Sequence, residues 1–76
     1  MGSETVFETT GTYPRDDIAD YLEQVAENFR HGEVTLVSGD SEVTVSPPEK
    51  TVFETKVERG EGDITVSFEI GWEEEP

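Results

Sequence analysis

RDDIADYLEQVAENFRH, residues 15–31, is the stretch whose apolar positions keep a helical period, and the rest of the chain is read outward from it. Ile18, Leu22, Val25 and Phe29 follow one another at spacings of four, three and four. At 100° per residue they fall within an arc of about 60°, a single apolar stripe that has to lie against something. The ends agree with a helix. Pro14 suits its start, Asp16 and Asp17 favour the positive N-terminal end of the dipole, and Arg30 with His31 followed by Gly32 suits its C-terminal end.

Beyond Gly32 the period changes to two. Val34 and Leu36 alternate with Glu33 and Thr35, Ser38-Gly39-Asp40-Ser41 is turn material, and Val43 and Val45 resume the alternation, which together predict a β-hairpin. Pro47-Pro48 then removes two successive backbone donors and makes a corner. A strand is expected from about Thr51 to Arg59, with Phe53, Thr55 and Val57 inward and Glu54, Lys56 and Glu58 outward. Arg59-Gly60-Glu61-Gly62-Asp63 is a turn. In the last strand Ile64, Val66, Phe68, Ile70 and Trp72 occupy one face and Thr65, Ser67, Glu69 and Gly71 the other, so one face should be core and the other wet.

On the N-terminal side, Thr5-Val6-Phe7-Glu8-Thr9 is rich in β-branched and aromatic residues and predicts a short strand ended by Gly11. The same pentapeptide recurs at Thr51 to Thr55, which reads as two strands under one half-buried demand rather than as a repeat architecture. The expected class is α+β, in the order βαββββ: one antiparallel-rich sheet with a single amphipathic helix packed on one face.

A chain of 76 residues is enough for one domain. Such a domain buries only about 60% of the surface its unfolded chain exposes, which leaves little interior for a preorganised site. Residues 1–76 are expected to form that single domain, with an ordered core over about 5–72 and a solvated acidic tail over 73–76. Nineteen Asp and Glu stand against five Lys and Arg, a formal net charge of -14. Phosphate backbones and anionic lipid are bound by cations, so this charge excludes nucleic acid and acidic membranes as partners. Like charge of this density destabilises a compact state in dilute buffer, whereas at about 1 M salt the Debye length is about 3 Å and the repulsion is largely screened. Lys confined to Lys50 and Lys56 beside an excess of carboxylates is the pattern expected of a cytoplasmic protein of a salt-accumulating haloarchaeon, with an ordinary acidic protein or a decoy-like acidic domain as the alternative. The chain has no Cys, hence no disulfide framework or thiolate chemistry. Its opening, Met1-Gly2-Ser3-Glu4, is polar, and its apolar runs are short, so a soluble cytoplasmic protein is expected.

No catalytic, cofactor-binding or metal-ligating set emerges. His31 is the sole histidine, which rules out a His-His zinc motif, and its position at a helix end makes it a dipole partner. Neither Ser38 nor Ser41 lies in a nucleophile elbow. The carboxylates of Asp16, Asp17 and Asp20, and of Asp40 and Glu42, follow no calcium-loop spacing and read as solvated surface. Gly60-Glu61-Gly62-Asp63 precedes a strand, whereas a phosphate loop precedes a helix. Trp72 ends an otherwise inward row. It either closes the core or, with Tyr13, Phe7 and Tyr21, marks a contact with another chain. Sheet edges make a protein partner or a homodimer physically available. The expected function is thus a non-catalytic protein-interaction or accessory module, with a small cation- or basic-metabolite-binding protein as the alternative and no specific small molecule identified.

The helix stripe, Gly32-Glu33-Val34-Thr35-Leu36, the Pro47-Pro48-Glu49 corner, the Phe53-Glu54 to Val57-Glu58-Arg59 strand and the terminal Trp72 together resemble the amphi-Trp domain family. The resemblance runs from about Val6 to Trp72. It implies a small domain found chiefly in haloarchaea, named for an amphipathic segment that ends in Trp, and it carries over no activity and no catalytic residue. The chain departs from the family pattern at the helix start, where Tyr13-Pro14 replaces a Ser or Thr cap.

Overall fold

The computed structural model describes residues 2–74, so Glu75 and Pro76 of the expected acidic tail lie outside the described residues. The helix, α1, spans Arg15–Arg30. Pro14 occupies its N-cap with no side-chain capping bond, and its carbonyl accepts from the amides of Asp17 and Ile18 at 3.1 and 3.2 Å. The fixed φ of proline presets the chain's entry into the helix, but its ring accepts no hydrogen bond from the first-turn amides. At the other end Gly32 has φ +86°. Its N–H donates to the Phe29 carbonyl at 3.1 Å and that of Glu33 to the Asn28 carbonyl at 3.3 Å, the paired bonds of a Schellman motif.

Four strands follow: β1 Val34–Ser38, β2 Ser41–Val45, β3 Val52–Arg59 and β4 Ile64–Gly71. They form two antiparallel pairs, β1 with β2 and β3 with β4. The first hairpin turns through Gly39 and Asp40, with φ +59° at Gly39 and no positive φ at Asp40, the signs of a type II′ turn. Its register sets Val34 opposite Val45 and Leu36 opposite Val43. That face is covered: Val34 is 6% exposed and the other three are half-buried. On the opposite face the hydroxyls of Thr35 and Thr44 hydrogen-bond at 3.0 Å.

The chain is α+β, as expected, with a helix followed by four strands, but three details differ. Thr5–Thr9 forms no strand, so the order is αββββ rather than βαββββ. That segment has the right composition, but among the described residues no strand pairs with it. It meets the first hairpin through a side chain instead, the Ser38 hydroxyl donating to Thr9 Oγ1 at 3.5 Å. The expected single sheet is also divided: β1 pairs with β2 and β3 with β4, and the connection that separates the two pairs holds Pro47-Pro48.

The third difference concerns the core. Helix α1 packs on β1, and among the described residues no Cα of α1 comes within 8 Å of a Cα of β3 or β4. A helix of 16 residues is about 24 Å long, enough to cover one small hairpin. The residues expected inward on β3 and β4 therefore share a face that is left open.

Candidate interaction surface

The register of the second hairpin gathers its apolar side chains. Phe53 pairs with Ile70, Thr55 with Phe68, Val57 with Val66 and Arg59 with Ile64, and directly opposed residues of an antiparallel pair project to the same face. Glu54 with Glu69, Lys56 with Ser67, Glu58 with Thr65 and Val52 with Gly71 occupy the other face. The division into an apolar and a polar face is the one expected from the alternation. What differs is its environment: Phe53 is 60% exposed, Phe68 59% and Ile70 39%. Near the hairpin base, Phe53, Phe68 and Ile70 face Leu22, Val25 and Phe29 across a groove of about 350 Å³. The helix stripe and the strand face thus look toward each other without closing.

The open face shows in the whole molecule. The chain exposes 7255 Å², where a compact chain of 8.5 kDa exposes about 4,700 Å². Its radius of gyration is 14.3 Å, against about 11 Å for a compact fold of this length.

The four aromatic candidates do not converge on one place. Tyr13 and Tyr21 line the same cleft, of about 300 Å³, with Ile18 and Val37. Both rings are exposed. Tyr13 is folded back over Gly11, where a Cβ would stand 2.7 Å from the tyrosine oxygen. Phe7 is half-buried. Trp72 lies just past the end of β4, at the joint between the hairpins, half-buried beside Pro48 and bordering two open depressions. The sequence pattern placed Trp72 at the end of the apolar row; its proximity to Pro48 depends on how the corner brings two distant segments together.

The remaining polar groups assemble little. His31 Nε2 lies 2.9 Å from Glu27 Oε1, and Arg30 Nε lies 4.0 Å from Glu27 Oε2, all on largely exposed side chains at the helix end. Such pairs contribute at most a few tenths of a kcal/mol, roughly 0.3–0.5. Among the described residues no three His, Asp or Glu side chains come together as a cation site. No helix among them is long and apolar enough to cross a membrane.

These features define a small, strongly acidic α+β protein whose conspicuous surface is an apolar strand face rather than a polar cleft. A sequence model of the Amphi-Trp domain matches residues 1–76, the whole chain, and the chain belongs to the Amphi-Trp domain family. Neither a curated protein nor a solved structure matches it.

Proposed function

We propose that this chain is a non-catalytic interaction or accessory module of a salt-rich cytoplasm, and that it acts by burying the apolar face of the β3–β4 hairpin against protein. One observation carries the reading: seven of the exposed large apolar side chains lie on β3 and β4, and six of them, all but Val52, share the register of one face. Isolated exposed apolar residues need no explanation, whereas a contiguous apolar face marks an interaction site. The net charge of -14 supports a setting in which salt screens the repulsion between an acidic chain and an acidic neighbour.

The test is capture of proteins from native lysate on the tagged chain at multi-molar KCl, repeated with Phe68→Ser. The reading expects partners that the Phe68→Ser chain, still helical by circular dichroism, releases. Capture that is indifferent to Phe68→Ser removes this face from the account.

A further inference from the structure

We propose that the hairpin carrying this face pairs with a second copy of the chain, β4 to β4 in antiparallel register about a two-fold axis at Ser67, which widens the apolar face rather than covering it. The inference deepens the interaction reading above by assigning a second copy to the free edge beside that face.

Backbone geometry shows which edge is available. The Gly60 N–H donates to the Asp63 carbonyl at 3.0 Å, and the register continues from Arg59 opposite Ile64. Hydrogen-bonded and non-hydrogen-bonded pairs alternate along an antiparallel ladder. Thr65, Ser67, Glu69 and Gly71 therefore turn their backbone groups toward β3, while Ile64, Val66, Phe68 and Ile70 turn theirs outward. Among the described residues no other strand pairs with β4, so these outward groups form a free edge of an eight-residue strand. Long free edges are ordinarily guarded by charge or proline. On β3 the guard is present in Glu54, Lys56, Glu58 and Arg59; on β4 only Glu69 is charged.

Side-chain parity then restricts the register. Directly opposed residues must share a face, or the apolar row of one copy would meet the polar row of the other. Centring the ladder on Ser67 sets Val66 opposite Phe68 of the second copy, Ile64 opposite Ile70 and Thr65 opposite Glu69. It also separates the two Glu69 carboxylates to opposite ends of the ladder. The product is a four-stranded sheet with one continuous apolar face. A lone two-stranded hairpin is marginal in water, and three or more strands with an apolar face are needed for independent stability. Two chains of net charge -14 repel, so the association strengthens with salt.

Two measurements on the full chain test this. Size-exclusion chromatography with light scattering should give twice the chain mass in multi-molar KCl and a falling dimer fraction as KCl is diluted. Val66→Pro removes an outward donor of β4 and should abolish the dimer; Val57→Pro does the same on the free edge of β3 and should leave it intact. Because the chain has no other cysteine, Ser67→Cys provides an unambiguous cross-link. A non-hydrogen-bonded antiparallel pair has Cα atoms about 4.5 Å apart, within the disulfide range. Air oxidation should link Ser67→Cys chains into dimers and leave Thr65→Cys chains unlinked. A helical monomer at every KCl concentration overturns the self-pairing, as does a Thr65→Cys link without a Ser67→Cys link. Neither result touches the interaction reading, which stands on proteins other than this chain captured through Phe68.

Discussion

The rings of Phe53 and Phe68 stack with centroids 6.2 Å apart and planes 12° from parallel, although neither is directly opposite the other. Phe53 faces Ile70 and Phe68 faces Thr55, so the ring contact is a diagonal one across the ladder. It ties the second hairpin together on the side that the helix does not close. Aromatic pairs of this kind contribute about 0.5–1.5 kcal/mol beyond area burial, and solvent exposure puts this one near the lower end. A double-mutant cycle with Phe53→Ala and Phe68→Ala, read by thermal melts at fixed KCl, should return a coupling of about 0.5 kcal/mol. Strict additivity would show that the stacking contributes nothing.

Gly32 and Gly71 make a paired prediction with opposite signs. A Cβ at either glycine meets nothing within 4 Å, but Gly32 has φ +86° and Gly71 has no positive φ. Gly32→Ala should cost about 1 kcal/mol and lower the melting temperature by about 4–8 °C, because an L-residue is strained in the left-handed conformation that ends the helix. Gly71→Ala should be neutral or stabilise by up to about 1 kcal/mol through the unfolded chain. Equal effects at both sites would contradict the helix ending.

Gly11 is constrained by its neighbour. A Cβ there would stand 2.7 Å from the Tyr13 hydroxyl oxygen and 2.8 Å from two ring carbons. Gly11→Ala should displace the ring and cost about 1 kcal/mol, as overpacking typically does. In a Tyr13→Ala background the same substitution should be nearly silent. A cost of equal size in both backgrounds, measured by melting curves, would mean that the ring does not pack there.

The charge predicts a salt dependence. With a net charge of -14, the melting temperature should rise and the far-ultraviolet helical signal strengthen as KCl is raised from dilute buffer to multi-molar concentration. A melting temperature independent of KCl would contradict the high-salt setting.

Local features of this fold were legible in the sequence because they have local causes. The expected helix over 15–31 ends one residue later than the observed Arg15–Arg30, and Gly32 closes it as anticipated. The alternation of Ile64, Val66, Phe68 and Ile70 identified a shared face that the register bears out. Alternation tells which side chains share a face, but it does not tell which strand lies alongside. For that reason the pattern places Pro47-Pro48 at a corner within one sheet and predicts a strand at Thr5–Thr9, whereas the structure divides the sheet there and pairs Thr5–Thr9 with none of the described strands. The same limit applies to the aromatic candidates. Tyr13 and Tyr21 are eight positions apart on or beside the helix and reach one cleft, whereas Trp72 needs the meeting of two distant segments to find Pro48.

Residue-resolved amide hydrogen exchange in multi-molar KCl, followed across protein concentration, tests most directly whether the free edge of β4 is completed by association. Val66 and Phe68 point their amides away from β3, while those of Thr65 and Ser67 point toward it. Protection at Val66 and Phe68 should increase with concentration while that at Thr65 and Ser67 changes far less. Rapid exchange at Val66 and Phe68 at every concentration, in a chain whose helix remains protected, would contradict completion by a second copy.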